Sequence, residues 1–493
     1  MNKSAIIIGS GFSGLASATT LADQGVDVTL IEKNDSLGGR ARKFEIDGFT
    51  FDMGPSWYWM PEVFDQYFER FGKKVSDYYD LVRLDPSYRV YFEDDYVDVP
   101  AKLEDLYQFF EDHESGSSIK LQKFLKEAQY KYNVGMEEFV WKPGHSIFEF
   151  ADLRVAKSLF QLQMFSNIDG QIKKLFKNPK LIKILEFPVL FLGATPSNTP
   201  ALYSLMNYAD LSLGTWYPMG GIHKIIEGMV ALAKEKGVKF ITGEEAVDLK
   251  IDQGSVSSVI TSKGEYKGEY KGDYIVASAD YHHFDQHVVP KGYRNYTAKY
   301  WDNRTMAPSS LLFYIGLDKK IDSIKHHNLF FDQDFDLHAH EIYTEPKWPS
   351  KPLFYICCPS KTDNTIAPDD HENMFILVPL APDLEDTEEL RSKYFDMICE
   401  RIVEKIDIDI KPHIVFERSY CINDFKNDYH AYKGNAYGLA NTLLQTAFLK
   451  PKLKNKHLNN LFYTGQLTTP GPGVPPSLIS GQVVASEILK SIA

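Results

Sequence analysis

The chain opens on an apolar run, Ala5 to Ile8, that breaks at once into the pattern G-x-G-x-x-G at Gly9, Gly11 and Gly14. An apolar helix is predicted to follow through Leu15, Ala16, Ala18 and Leu21, stopping at Gly25. A second strand, Val26 to Ile31, then ends at Glu32. Few local patterns restrict a fold so far. Gly9 permits a tight turn, Gly11 lets backbone approach a diphosphate, and Gly14 lets helix and strand pack closely. The helix N-terminus then faces the anion. Glu32 stands where a carboxylate accepts hydrogen bonds from a ribose diol and repels a 2'-phosphate, so NADP is disfavoured. Strand, glycines, helix, strand and acid occur in order, and together they predict a β-α-β dinucleotide-binding unit.

Just beyond lies "EKNDSLGGRARKF", with Gly38, Gly39 and Arg40 in succession. Two glycines allow a close backbone pass, and Arg40 can neutralise a phosphate or reach a carboxylate. A surface ion pair is the plainer reading of Arg40 alone. With "GFTFDMGPSW" downstream, this element resembles the flavin amine oxidase and carotenoid desaturase superfamily. That likeness implies FAD, with the glycine pair along the cofactor and the strand ending in D-x-G-P near the flavin.

At 493 residues the chain is long for one compact domain, and a two-part body is expected. A net charge of −13 argues against nucleic acid as a partner, because phosphate binding needs a basic footprint. Aromatic residues make up 14% of the chain, which suits large apolar cavities as well as large cores. Cys357, Cys358, Cys399 and Cys421 show no metal-ligand or redox spacing and read as reduced thiols of a cytosolic protein. "AIIIG" is too short for a signal peptide, and no uninterrupted apolar stretch reaches membrane-spanning length.

An amphipathic helix is expected from about Ser117 to Phe139, with Leu121, Phe124, Leu125 and Ala128 on one stripe. Residues 147–192 also read as helical. Between Ala151 and Leu192 seven basic residues face three acidic ones, a local net of +4 (7 − 3), with large apolar residues interleaved. Such a stretch can lie on an anionic membrane or form an ordinary solvated face, and both readings stand at this level. "GTWYPMGGIHKIIEGM" returns to α/β grammar, and Gln253-Gly254 reads as a hairpin turn. "EYKGEYKGDY" is a small duplication that extends this hairpin.

Near the C-terminus, "FYTGQLTTPGPGVPPSLISGQ" packs four prolines and four glycines into one stretch. Leu461 to Tyr463 read as a strand, Gly465 allows close approach, and Pro475 and Pro476 stand where a helix tolerates them. The punctuation builds a stiff loop that aims a helix N-terminus. Its dipole and free N–H groups can stabilise negative charge on a reduced flavin. "TTPGPGVPPSLISG" resembles the C-terminal signature of the bacterial-type phytoene desaturases, and the quoted motifs fall in that family's order along the whole chain. Gln466 departs from the acidic residue common after this glycine in the fold.

The resemblance implies an α/β fold: a discontinuous FAD-binding Rossmann-like domain, an inserted α+β substrate-binding domain and a helical membrane-contact region. The expected division is 1–85, 215–285 and 426–493 for the FAD-binding parts, with 86–214 and 286–425 for the substrate parts. It adds Phe12, Ser13, Lys33, Gly54, Pro55, Ser56, Val247, Gly473 and Val474 to the cofactor contacts Gly9, Gly11, Gly14, Glu32, Gly39, Arg40, Gly465 and Gln466. It implies phytoene or a related carotenoid in an apolar tunnel, with a hydride passing to FAD and a proton lost. Trp57, Tyr58, Trp59, Trp216 and Tyr217 are tunnel candidates, plain core packing being the alternative. Asp152 and Arg154 are acid–base candidates, with helix-terminal charge as the alternative. No metal is expected. Quinone or oxygen would reoxidise the flavin, at the inner face of the cell membrane. A 3,4-desaturase, ketolase or isomerase of carotenoids remains an alternative, as does a non-catalytic prenyl-lipid escort of the same fold.

Overall fold

The computed structural model describes residues 3–146, 149, 166–190, 195–442 and 445–492. Asp152 and Arg154 lie outside them.

Strand β1 (Ser4–Ile8), helix α1 (Phe12–Asp23) and strand β2 (Asp27–Glu32) form the first unit. β1 pairs in parallel with β2 on one side and with Tyr274–Ala277 on the other. Lys239–Thr242 and Leu461–Tyr463 complete a five-stranded parallel sheet at its two edges. A parallel sheet needs both faces covered. The helix Val474–Ile492 and α1 lie against each other on one face. Their contact is close because Gly481 meets α1: a Cβ there would lie 2.2 Å from the Ser13 carbonyl oxygen.

Gln253 and Gly254 both have positive φ (+45° and +75°), joining Glu245–Asp252 to Ser255–Lys263 as the turn signal predicts. The duplicated segment supplies a third strand, Tyr266–Tyr270. A seven-stranded sheet draws its strands from residues 88–99 and 309–420. Its strand Ser309–Leu317 is buried at all nine positions, which accounts for an apolar run without alternation.

The helix Ser117–Val134 carries Leu121, Phe124, Leu125 and Ala128 buried, and continues as a wider turn over Gly135–Phe139. Ile168–Leu175 and Pro179–Leu190 are helical. No helix among the described residues is long and apolar enough to cross a membrane. The four cysteines are buried free thiols.

One buried ion pair anchors the larger sheet. Arg401 donates to both oxygens of Asp332 and to the Pro352 carbonyl, with its guanidinium over the Phe354 ring. Removing one partner leaves an uncompensated buried charge. Arg401→Met is therefore expected to cost about 3–5 kcal/mol in chemical unfolding.

Candidate functional site

Both chain ends meet on one cavity of about 1040 Å³. Its wall includes Gly9, Gly11, Phe12 and Ser13, then Glu32 and Lys33, then Gly39 and Arg40, then Gly54 to Trp57. Residues 464–467 and 469–477 close the opposite side, Gly465, Gln466, Gly473 and Val474 among them.

The glycine turn has little latitude. Gly9 has φ +100°, and its N–H donates to the Ile31 carbonyl at 2.8 Å. Gly14 lies behind the cavity wall, where a Cβ would fall 2.0 Å from the Gly9 carbonyl oxygen. Gly11 faces open space, with nothing within 4 Å of a Cβ built there, while its Cα lies 3.2 Å from a Cβ built on Gly39. A bare backbone cradle thus opens at the N-terminus of α1, as a diphosphate requires.

Glu32 is 5% exposed. Its Oε2 accepts from the Ser10 N–H (2.9 Å) and hydroxyl (2.6 Å), and its Oε1 from the Asn34 N–H (2.9 Å) and side-chain amide (3.0 Å). The carboxylate is held rigid at the rim by four donors. Lys33 instead turns to the Asn427 carbonyl (2.6 Å) and His430 Nε2 (3.1 Å). His430 also bonds Glu245 at 2.7 Å and stacks on His283 at 3.8 Å. Burial, and then His430, pushes His283 down to about 3, so it is neutral. Glu245, His283 and His430 form a compact group of potential ligand atoms, invisible in the sequence because 185 positions separate its ends.

Arg40 donates to the Asn435 carbonyl at 3.3 Å and lies over the Tyr429 ring, while its buried Nε has no hydrogen-bond partner. Burial pushes this guanidinium down, partly offset by Asp280 and by Tyr429 and Tyr420. A half-buried guanidinium whose buried N–H is an orphan fits an anionic ligand better than a surface ion pair.

The structure amends four expectations about this wall. Val247 does not line the cavity. It falls in a bulge between Ala246 and Asp248 and is 36% exposed, while Ala246 takes the cavity face. Trp57 and Trp59 line the wall, but Tyr58 turns away and bonds Tyr79 at 3.0 Å, because alternate residues of an extended segment face opposite sides. Trp216 and Tyr217 also stand off the cavity, in a ribbon with Leu81–Arg83. There Trp216 donates to the Leu213 carbonyl (2.9 Å) and Tyr217 to Asp363 (3.4 Å). Finally, the C-terminal helix starts at Val474, so Pro475 and Pro476 occupy its first turn without N–H groups, and the Ser477 N–H is used by the Gly473 carbonyl. The helix presents its dipole, but few donors. Sequence reasoning also missed Ser278 to Asp280 on the wall. Their place just past the C-terminal end of a parallel strand was the available signal.

Trp59 Nε1 donates to Thr215 Oγ1 (3.0 Å), which leans on buried Asp210 at 3.4 Å, while the Tyr88 hydroxyl donates to Asp210 at 2.9 Å. Burial pushes the Asp210 carboxyl up to about 7 from an ordinary 3.8. Between those values the folded chain keeps a proton that the unfolded chain has lost, so stability falls as pH rises through this window. Asp210→Asn is expected to flatten that fall, removing a slope of up to about 1.4 kcal/mol per pH unit, as denaturant melts at several pH values would show.

The far end of the cavity is apolar: Met136, Val140, Leu202, Leu205 and Met206 line it. A glycine cradle at a helix N-terminus, a buried carboxylate at the end of β2 and a second helix aimed from the C-terminus define a dinucleotide-binding oxidoreductase site. Residues 12–489 match the family of flavin-containing amine oxidoreductases, and the chain belongs to it. FAD is the cofactor, and the cradle and orphan Arg40 fit it. Within that family the chain is 40% identical over 490 residues to a carotenoid 3,4-desaturase of Haloarcula japonica, covering 99% of this chain and 98% of that one. It is 30% identical to a zeta-carotene-forming phytoene desaturase of Myxococcus xanthus, over 98% of this chain and 93% of the relative. Among solved structures, cyclohexylamine oxidase from Brevibacterium oxydans shares the fold at TM-score 0.59 and 14% identity, covering all of both chains.

Proposed function

We propose that this protein is an FAD-dependent carotenoid desaturase acting on phytoene, producing lycopene or intermediates on the way to it. One observation carries the reading: the cavity that holds the dinucleotide cradle is also lined by a run of apolar side chains, Met136, Val140, Leu202, Leu205 and Met206, with Lys142 the one charged neighbour in that stretch of the wall among the described residues. A long hydrocarbon suits such a wall, because burying apolar surface is its main source of affinity.

FAD, when bound, supplies the two-electron acceptor for a hydride from an allylic carbon. The Gly11 backbone and the N-terminus of α1 hold the diphosphate, and Glu32 orients the ribose. The 469–477 loop holds the far end of the cofactor. Trp57 and Trp59 shield the junction with the apolar lobe from water. Asp152 and Arg154 take the acid–base role, and quinone or oxygen accepts the electrons. The discontinuous domain division and membrane attachment through the basic helical region, at the inner face of the cell membrane, belong to the same proposal. The helices Ile168–Leu175 and Pro179–Leu190 are consistent with that region.

A second reading is 3,4-desaturation of a hydroxylated carotenoid, favoured by the 40% identity to the Haloarcula japonica enzyme. Incubating the protein with FAD and phytoene-loaded liposomes, and recording the spectrum of the extracted lipid, separates the two. A new three-banded polyene absorption is expected. No change with phytoene, but a red shift with a hydroxylated carotenoid, would move the assignment to the second reading.

A further inference from the structure

Lys450 is 2% exposed, far more buried than lysines usually are. Its Nζ donates to Asn441 Oδ1 at 3.0 Å. Among the described residues no carboxylate forms an ion pair with it; burial alone acts on the ammonium, pushing it down to about 7. A lone buried cation is costly unless an anion comes to meet it.

Its position says which anion. Gly471, in the C-terminal loop, has φ +143°, and a Cβ built there would lie 3.3 Å from Lys450 Nζ and 3.4 Å from Asn441 Oδ1. Both Gly471 and Asn441 line the main cavity. The ammonium therefore stands directly behind the loop that precedes the C-terminal helix, packed against the backbone at Gly471. That helix is itself a poor anion holder, since two of its first three residues are prolines without N–H groups. A hydrocarbon substrate brings no negative charge. A flavin that accepts a hydride, two electrons and one proton, gains one.

We propose that Lys450, oriented by Asn441 behind Gly471, is the positioning residue whose charge stabilises the negative charge of reduced flavin in this loop. The inference rests on the FAD-dependent reading above. It assigns to a side chain the stabilisation that the proline-rich helix start cannot supply through its amides.

The test uses the full-length protein reconstituted with FAD. Two readouts report positive charge near the flavin without turnover: the affinity for sulfite, followed by bleaching of the visible flavin band, and the two-electron midpoint potential. Lys450→Met is expected to bind sulfite at least about tenfold more weakly and to lower the potential by about 30 mV, the equivalent of tenfold for a two-electron couple. Lys450→Arg, which keeps the charge, should stay within about threefold of wild type. Asn441→Asp places a carboxylate against the ammonium and should shift both readouts in the direction of Lys450→Met; it decides the matter if Lys450→Met does not fold. Variants that hold FAD with unchanged sulfite affinity and potential would overturn the proposal. Wild-type protein that takes up no FAD would overturn the reading beneath it, a result visible before any variant is made.

Discussion

Gly14→Ala is expected to abolish stable FAD binding, the largest effect of any single methyl group in this molecule. The added Cβ would fall 2.0 Å from the Gly9 carbonyl oxygen. Ordinary carbon–oxygen contact is well over an ångström longer, and the partner is backbone, so no rotamer change relieves it. Either α1 moves off β1 or the Gly9 turn opens. The first option meets the C-terminal helix, which already touches α1 through Gly481. The second takes the diphosphate cradle apart. Overpacking a well-filled interior costs about 1–3 kcal/mol where side chains can adjust, and a backbone clash lies at or beyond the upper end. An affinity loss of at least about a hundredfold is expected, equivalent to about 2.7 kcal/mol. Flavin fluorescence titration would measure it. Retained binding within a few fold would mean that the helix has more freedom than its packing indicates.

Glu32→Gln should be nearly as damaging, although it changes one atom. Both carboxylate oxygens are committed to donors, Ser10 on one side and Asn34 on the other. An amide turns one acceptor into a donor, and whichever way it flips, its NH₂ faces two N–H or O–H groups. Leaving such buried donors unsatisfied costs about 1–3 kcal/mol each, more where the lost acceptor was charged. The expected result is a drop in melting temperature together with FAD affinity weakened by about tenfold or more. Glu32→Asp keeps both acceptors on a shorter stem and should recover part of the affinity, which a purely steric role would not predict. Unchanged stability and affinity in Glu32→Gln would show that the four contacts do not persist in solution.

These two residues are legible in the amino-acid sequence because their roles are local. Gly9, Gly11, Gly14 and Glu32 lie within one strand-turn-helix-strand unit, whose geometry follows from glycine torsions and strand alternation. The C-terminal loop is legible for a similar reason: prolines and glycines dictate backbone direction within a few residues. Alternation, applied more strictly, would have separated Trp57 and Trp59 from Tyr58. Val247 stands off the cavity because the register shift at its own position turns its side chain outward, and a bulge leaves little trace in a side-chain pattern. The poor donor capacity of the C-terminal helix could have been read from Pro475 and Pro476, since the missing N–H groups are a covalent fact.

Other features had no sequence signal. Nothing near Lys450 announces that its ammonium lies behind Gly471, and nothing links Arg40 with Asp280 and Tyr429, or Glu245 with His430. These partners are set by which strand edges meet, and the parallel sheet gathers Leu461–Tyr463, Tyr274–Ala277 and β1 from across the whole chain. The amino-acid sequence by itself determined the dinucleotide unit, the loop that faces it and the family. The tertiary structure alone decided which aromatics line the cavity, which acid and base partners share it and where buried Lys450 points. Torsional preferences act over a few residues and are written in the chain locally. Burial and charge pairing depend on distances between remote segments, and only the folded topology sets those.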